Sequence, residues 1–232
     1  MKRYIIVVAG GKGLRMGGDM PKQFMLLNGK PLVMATIENL CAMDVTLRIV
    51  LVLPKDQMQL WDELCEQYNF TIPVKVVAGG TTRFHSVQNG LAAIEDSDEA
   101  LVGVHDGVRP FLAMKVYDEL FREAAINGAV VPVVAVYDSM RRFIGGQGAT
   151  EPVPRDRYRL VQTPQVFKLS LLRRAYEQLY MENFTDDASV VENLGEPVQI
   201  VDGNRENIKI TTPYDFVVAK AIVECLTRQP AT

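Results

Sequence analysis

Short apolar runs alternate along this chain with longer segments in which apolar residues recur at helical spacing. The runs predict strands at residues 4–9, 48–53, 74–77, 100–105 and 129–136, and the longer segments predict helices at 56–68, 83–94 and 114–126. Strands that alternate with helices form βαβ units with right-handed crossovers and a parallel sheet. We therefore expect an α/β fold in which a mostly parallel twisted sheet is flanked by helices.

The same alternation continues in the last third of the chain. Helices are predicted at 170–180, 186–194 and 214–226, and a strand at 198–201. Thr81 or Thr82 suits the cap of helix 83–94, and Ser170 suits the cap of the helix that it begins. Pro213 suits the first turn of the last helix.

The alternation is interrupted at about residues 137–158. Two short stretches flank a glycine-rich tip, Gly145-Gly146-Gln147-Gly148. An isolated two-stranded hairpin buries too little surface to be stable by itself in water. We predict a single domain over residues 1–232 whose arm at 137–158 packs on another subunit; a loose loop is the alternative.

The segment from Gly10 to Lys22, GGKGLRMGGDMPK, follows the first predicted strand. Its glycines permit sharp bends and close approach of the backbone to a ligand. Backbone N–H groups and the charges of Lys12, Arg15 and Lys22 suit a polyphosphate. The Walker A pattern is absent from the sequence, and Met16 stands at the third glycine of the dinucleotide fingerprint. The alternative is a glycine-rich surface turn with solvated lysines.

Charge and cysteine content exclude several classes of protein. The formal net charge is −3, whereas nucleic acids and anionic membranes select basic surfaces, so we expect neither as a partner. The longest apolar run, 129–137, is too short to span a bilayer. The three cysteines, at 41, 65 and 225, lack metal-like spacing and suit a reducing compartment. We therefore expect a cytoplasmic protein.

Further polar motifs follow other strands, at the edge where a parallel sheet binds ligands. Asp106 follows strand 100–105 and suits Mg²⁺ or a substrate hydroxyl, or else a turn. The turn 78–82 admits a flat base, with the Ser86 hydroxyl nearby. Lys209 lies in an extended run and points either to solvent or into the cleft. With no Ser-His-Asp or Cys-His signature, the pattern favours phosphoryl chemistry without a protein nucleophile.

Seven segments share the order and spacing of one known family. They are VVAGGKGLRMGGDMPKQF, AGGTTRFHSVQNGL, VGVHDGVRPF, DSMRRF, VPRDRYRLVQTPQVF, FTDDASVVE and ENIKITTPYDF. Across about residues 4–225 the chain resembles 2-C-methyl-D-erythritol 4-phosphate cytidylyltransferases; ribitol-5-phosphate cytidylyltransferases share most of these motifs. The resemblance implies a Rossmann-like nucleotidyltransferase fold, Mg²⁺ and CTP, a small polyol phosphate as acceptor, and a homodimer formed through the arm.

The resemblance also implies roles for individual residues. Catalytic roles fall to Arg15 and Lys22, as cations at the transition state, and to Arg155 and Lys209, which hold the acceptor phosphate. CTP binding falls to Ala9, Gly10, Gly11, Gly13, Gly80, Thr81, Arg83, Ser86 and Asp106, with Asp106 also a metal ligand. The acceptor pocket falls to Arg109, Ser139, Thr163 and Thr185, and the arm carries Ser139 and Arg155 to a neighbouring subunit. Ser139 replaces the Thr of the pattern, and Thr81 the Asp of many members.

The implied reaction is transfer of CMP from CTP to 2-C-methyl-D-erythritol 4-phosphate with release of pyrophosphate. The acceptor phosphate has a second pKa of about 6, so it is largely dianionic near neutral pH and needs no general base. The alternatives are a ribitol-5-phosphate cytidylyltransferase, a nucleotide-sugar pyrophosphorylase and a non-catalytic nucleotide-binding module. The sequence leaves the choice of acceptor open.

Overall fold

A computed structural model describes residues 1–10, 20–96, 99–145 and 148–228 of the chain. Within these ranges the strands are β1 (Arg3–Val8), β2 (Leu26–Leu27), β3 (Lys30–Pro31), β4 (Arg48–Leu53), β5 (Val74–Ala78), β6 (Leu101–Asp106), β7 (Ala129–Ala135), β8 (Met140–Phe143), β9 (Thr150–Val153), β10 (Arg159–Val161), β11 (Gln165–Lys168) and β12 (Gln199–Asp202). The helices are α1 (Leu32–Met43), α2 (Met58–Gln67), α3 (Arg83–Ala92), α4 (Met114–Asn127), α5 (Leu169–Ala175), α6 (Asp187–Glu192) and α7 (Pro213–Arg228).

The central sheet is mainly parallel, as the alternation predicts. Strands β5, β4, β1 and β6 lie side by side and run parallel. Strand β11 runs antiparallel between β6 and β7, and β7 also pairs with β10 and, in parallel, with β12. Val8 is paired with Asp106 and Leu53 with Ala78, so four parallel strands end at one edge of the sheet.

Helices cover both faces of this sheet. Along β1, Ile5 and Val7 pack in the cluster that includes α1, α2 and α4, whereas Tyr4 and Ile6 pack in the cluster that includes α3, α5 and α6. Successive strand side chains point to opposite faces, so a strand buried on both faces is continuously apolar. The run at residues 4–9 was recognisable for this reason.

A third, smaller apolar cluster joins α7 to the segments that follow the sheet edge. It includes Leu27, Phe111, Ile210 and Phe216. The cluster fixes the loop before α7 against the loop that follows β6. None of the helices in the described ranges combines the length and apolar character that a bilayer crossing requires.

Most predicted elements are confirmed to within a few residues, but three features differ. Helix α1 was not predicted, because its sequence LVMATIENLCAM is apolar almost throughout and lacks a clear polar face. Helix α5 spans Leu169–Ala175 and follows Lys168, so the predicted cap at Ser170 is wrong and the helix ends before the predicted residue 180. The antiparallel insertion of β11 was also not predicted, because a strand's neighbours depend on contacts distant in sequence.

The predicted arm is a hairpin that extends from the sheet. Its strands β8 and β9 pair antiparallel, with Met140 opposite Val153 and Phe143 opposite Thr150. Phe143 is 77% exposed and the neighbouring Ile144 is 54% exposed. Apolar side chains at the end of a hairpin are therefore left in contact with water in the single chain.

Candidate active site

A cavity of about 340 Å³ opens at the sheet edge where β1, β5 and β6 end. Its lining residues are Val8, Ala9, Gly10, Lys22, Gln23, Gly80, Thr81, Thr82, Arg83, Ser86, Asp106, Val108 and Lys209. Most of the predicted nucleotide-binding residues in the described ranges are among them. A cavity of about 410 Å³ lies at the opposite end of the strands, but Asp96 and Glu95 pair with its cations, and no predicted site residue lines it.

Asp106 is the carboxylate of the candidate site and ends strand β6. Its Oδ2 atom lies 3.0 Å from Lys209 Nζ and 3.2 Å from Arg109 Nε. Burial raises the pKa of Asp106, but the positive charges of Lys209, Arg83 and Arg109 outweigh burial and hold that pKa well below its usual range. Asp106 is therefore ionised at neutral pH.

Lys209 points into the cleft, which resolves the choice that the sequence left open. Ile210 is fully buried in the small apolar cluster, and its N–H donates to the Val108 carbonyl at 3.1 Å. With Ile210 anchored in this way, the side chain of the preceding residue, Lys209, points towards Asp106. Its ammonium group stays partly exposed to the cavity, with 42% of the side chain accessible.

Arg109 ties the carboxylate to the loop that carries Lys209. Besides the contact of its Nε with Asp106, its NH1 donates to the Asn207 carbonyl at 2.7 Å. The side chain is only 11% exposed. In the single chain Arg109 therefore holds the site together, and its predicted contact with the acceptor stays a prediction.

Thr163 and His105 form a buried hydrogen-bonded chain that supports the backbone of Asp106. The Asp106 N–H donates to Thr163 Oγ1 at 3.0 Å, and that oxygen lies 3.0 Å from His105 Nδ1. His105 Nε2 lies 3.0 Å from the Arg109 carbonyl, which can only accept, so Nε2 carries the hydrogen and the Thr163 hydroxyl donates to Nδ1. Both hydrogen-bonding functions of the Thr163 hydroxyl are thus used inside the protein; its predicted place in the acceptor pocket is untested.

His105 is buried and neutral. Burial lowers its pKa from about 6.5 to about 4. Because both ring nitrogens are occupied and no part of the side chain is accessible, the ring has a structural role. The site therefore places no free histidine base beside Asp106.

We expect the free energy of unfolding to fall by about 3 kcal/mol between pH 6.5 and pH 4 on account of His105. The unfolded histidine binds a proton in this range whereas the folded one does not, so stability falls as the pH falls. Urea titrations across this range measure the slope. His105→Gln keeps a donor and an acceptor and should lack this part of the slope, while His85→Gln should retain it; equal slopes would contradict the assignment.

The turn after β5 is rigid and has no room for side chains. The Gly80 N–H donates to Ser86 Oγ at 3.1 Å, and the Ser86 hydroxyl donates to the Thr82 carbonyl at 2.9 Å. A Cβ atom at Gly80 would lie 2.3 Å from the Cβ of His85. Thr82 caps α3 by accepting from the His85 N–H, which confirms one of the two predicted caps.

Arg83 is held by an acid that the sequence did not single out. Its NH1 and NH2 donate to Asp187 at 3.0 and 2.6 Å, and Asp187 also accepts from the Tyr176 hydroxyl at 2.6 Å. Asp187 is fully buried. The signal was the acidic pair in the segment FTDDASVVE: Asp186 caps α6, so the next carboxylate turns inward.

Lys22 begins a short 3-10 turn, Lys22–Phe24, after the glycine-rich segment. The turn is anchored by Phe24, which is 1% exposed, and by Gln23, whose Nε2 donates to Gln57 Oε1 at 2.5 Å. The sequence did not indicate this buried amide pair. The predicted site residues Gly11, Gly13 and Arg15 lie outside the described residues.

Five predicted site residues in the described ranges do not line this cavity: Arg109 and Thr163, which support Asp106, and Ser139, Arg155 and Thr185. Ser139 and Arg155 are exposed on the arm, where the Arg155 guanidinium donates to the Tyr137 carbonyl. Thr185 is exposed just before α6. The structure therefore brings the nucleotide-binding set together with Lys209 and leaves the residues predicted to act across subunits outside it.

Comparison with known proteins identifies relatives that all belong to one family. The family model for 2-C-methyl-D-erythritol 4-phosphate cytidylyltransferase matches residues 4–225. Proteins of that name from Phocaeicola vulgatus and Bacteroides fragilis are 52% and 51% identical, each over 96% of this chain and 100% of the relative.

Solved structures agree with these sequence relatives. 4-Diphosphocytidyl-2C-methyl-D-erythritol synthase from Anaerococcus prevotii has a TM-score of 0.80 and 29% identity over 96% of both chains. 2-C-Methyl-D-erythritol 4-phosphate cytidylyltransferase from Francisella tularensis has a TM-score of 0.77 and 28% identity, over 95% of this chain and 99% of that one.

Proposed function

Because the chain belongs to the 2-C-methyl-D-erythritol 4-phosphate cytidylyltransferase family, we propose that the cavity around Asp106 is where it transfers CMP from CTP to 2-C-methyl-D-erythritol 4-phosphate. The products are 4-diphosphocytidyl-2-C-methyl-D-erythritol and pyrophosphate, in the non-mevalonate route to isoprenoid precursors. The chain is a nucleotidyltransferase. The observation that carries the location is the convergence of Lys22, Asp106 and Lys209 on one cavity.

The reaction exchanges one phosphorus–oxygen bond for another. An oxygen of the acceptor's phosphate attacks the α-phosphorus of CTP, and the bond from that phosphorus to the bridging oxygen of the β-phosphate breaks. Pyrophosphate leaves with the electron pair. The nucleophile is already an anion, which agrees with a site whose nearby histidine is buried and neutral.

The main obstacle is repulsion between a dianion and a polyanion. Lys22, Arg83 and Lys209 line the cavity and supply fixed positive charge. We assign Lys22 to the charge that develops on the transferred phosphoryl group, together with Arg15 by the family match. Lys209 positions the acceptor phosphate for in-line attack, because its ammonium group faces the cavity beside Asp106.

The residues fit a magnesium ion that is shared with the substrate. Mg²⁺ is commonly held by one or two carboxylates together with substrate phosphates, rather than by a cage of protein ligands. Asp106 is an ionised carboxylate on the cavity wall, and the described ranges contain no group of three or more metal-ligating side chains. We propose that Asp106 would hold Mg²⁺, which supplies charge neutralisation to the triphosphate.

We also propose that the arm at residues 137–158 forms a homodimer and completes the partner's site. The exposed Phe143 and Ile144 lie at the hairpin end and are suited to burial against another chain. Ser139 and Arg155 are exposed near the base of the hairpin, where they would face a neighbouring acceptor pocket in the dimer. Thr185 would line that pocket by the same family match.

Location in the cytoplasm is part of the proposal. Cys41, Cys65 and Cys225 are all free thiols, which suits a reducing compartment.

Pyrophosphate release from CTP and Mg²⁺, with methylerythritol 4-phosphate and ribitol 5-phosphate in parallel, tests the function. We expect release with the first acceptor alone, and loss of release in EDTA. Release with ribitol 5-phosphate alone would show that ribitol 5-phosphate is the acceptor and that the reaction is still transfer of CMP from CTP. No release with either from folded protein would favour a non-catalytic nucleotide-binding module.

A further inference from the structure

A second cavity adjoins the one described above. It has a volume of about 280 Å³ and is lined by Gly10, Pro54, Lys55, Asp56, Gln57, Gly79, Gly80, Thr81 and Ser86. Four of these residues, Gly10, Gly80, Thr81 and Ser86, also line the first cavity. The two cavities are therefore compartments of one cleft, and the far wall of the second is the turn between β4 and α2, to which no role has been assigned above.

The charges divide the cleft into two parts. The second compartment is lined by one cation, Lys55, and one acid, Asp56, whose formal charges cancel, whereas Lys22, Arg83 and Lys209 line the first compartment and not the second. The triphosphate of a nucleotide belongs with those cations. The second compartment has glycine backbone at residues 79 and 80 on one side, which leaves space for a flat ring, so it is suited to the base of the same nucleotide.

Asp56 is the acid of this base compartment. It lies in the 3-10 turn Lys55–Gln57, in which the Gln57 N–H donates to the Pro54 carbonyl at 2.9 Å. The turn is further held by the bond from buried Gln23 to Gln57. Asp56 itself is exposed, and its carboxylate has no hydrogen-bond or ion-pair partner among the described residues. A hydrogen-bonded turn thus places an acid that has no partner among the described residues at the wall of the compartment.

We propose that Asp56 accepts a hydrogen bond from the exocyclic amino group of the cytosine base and thereby selects CTP over UTP, an inference that rests on the proposed function. An ionised carboxylate can only accept hydrogen bonds. Cytosine presents an N–H₂ donor where uracil presents a carbonyl oxygen, and carboxylates recognise that donor in protein–nucleic acid complexes. With UTP, two acceptors would face each other and neither would be satisfied.

The other polar side chains of the compartment do not make this distinction. Lys55 can only donate, and the O2 carbonyl that both bases carry can accept from it, while the Oε1 atom of Gln57 already accepts from Gln23. The Ser86 hydroxyl already accepts from Gly80 and donates to Thr82. The Thr81 hydroxyl can donate or accept, so it suits either base. Asp56 is the side chain among these lining residues that can only accept a hydrogen bond, which leaves it as the specificity-determining residue.

The decisive variant is Asp56→Asn, because an amide can donate to the uracil carbonyl where a carboxylate cannot. We expect the ratio of kcat/KM for CTP to kcat/KM for UTP to fall about 10-fold or more, with part of the change coming from improved use of UTP. Asp56→Ala should lower the ratio without improving UTP. Asp62→Asn makes the same charge change on the exposed side of α2 and should leave the ratio unchanged.

Calorimetric titration with CTP and with UTP, in the absence of acceptor, separates this inference from the proposed function. Wild-type protein that binds CTP more tightly than UTP but releases no pyrophosphate would overturn the function and leave Asp56 testable by affinity alone. An unchanged preference in folded Asp56→Asn and Asp56→Ala, by kinetics or by binding, would overturn the inference. Equal binding of CTP and UTP by the wild type would overturn it as well.

Discussion

Lys209→Ala is expected to lower the turnover of 2-C-methyl-D-erythritol 4-phosphate by about 10²-fold or more, the effect of losing one fixed stabilising donor at a developing charge. The Nζ atom lies 3.0 Å from Asp106 and faces the cavity in which we propose that acceptor and CTP bind. Its removal takes away the positive charge that aligns the acceptor phosphate, so kcat should fall and the KM for the acceptor should rise. Steady-state kinetics with pyrophosphate detection measure both constants.

The matched control is Lys220→Ala, which removes a lysine from the exposed surface of α7 and should leave both constants unchanged. Calorimetry should show that the Lys209 variant still binds CTP, because Lys22 and Arg83 stay in the cavity. Near-normal turnover in folded Lys209→Ala would contradict the role proposed for this residue.

The electrostatic arrangement explains why one carboxylate is tolerated among phosphate-binding cations. Asp106 pairs with Lys209 and Arg109, so its charge is not left uncompensated in a site that is largely buried. Without substrates, the negative charge of Asp106 balances the positive charge of Lys209, which is proposed to bind the acceptor phosphate. In the proposed reaction Lys209 would pair with the acceptor phosphate, and Asp106 would then be available to hold Mg²⁺.

Much of the site could be predicted from sequence because its signals are local. The strands β1, β5 and β6 are short apolar runs, and each is followed by a glycine-containing loop. Parallel strands end at one edge, so the loops that follow them meet there. Gly10, Gly80 and Asp106 are therefore predicted from sequence to lie in one cleft, and the cavity confirms that they lie together.

The residues that the sequence did not indicate act through distant partners. Asp187 is buried because Arg83, 104 positions earlier, meets it with two hydrogen bonds, and Gln23 is buried against Gln57, 34 positions later. Aspartate and glutamine are mostly exposed in proteins, so their identity alone predicts a surface position. Only the tertiary fold determines which of them find a buried partner.

The orientation of Lys209 also shows, at a single residue, that local sequence does not reveal contacts with distant parts of the chain. Alternation with Ile208 and Ile210 predicts that the lysine points away from the apolar face, but it does not say what lies on the other side. The cavity and Asp106 lie there, and these are formed by β6 and the turn after β5. The local pattern thus determines which way the Lys209 side chain points, and the arrangement of the sheet determines which groups it meets there.

Mixed dimers of two inactive variants should recover about half of the wild-type activity per dimer if the arm completes the partner's site. One chain carries Lys209→Ala and the other Arg155→Ala, and each variant alone should lose about 10²-fold or more in turnover. In the mixed dimer one site combines an intact Lys209 with an intact Arg155 from the other chain, whereas the second site lacks both. Co-expression with two different affinity tags and tandem purification isolates the mixed species.

The reciprocal arrangement is the control that separates action across subunits from action within one chain. When both substitutions are on one chain and the partner is wild type, each site loses one of the two cations, so activity should stay near that of the single variants. If Arg155 instead served the site of its own chain, the outcomes would be exchanged: this second dimer would be half active and the first inactive. Failure to isolate any mixed dimer would contradict the proposed assembly itself, because the exposed Phe143 and Ile144 would then have no second chain to cover them.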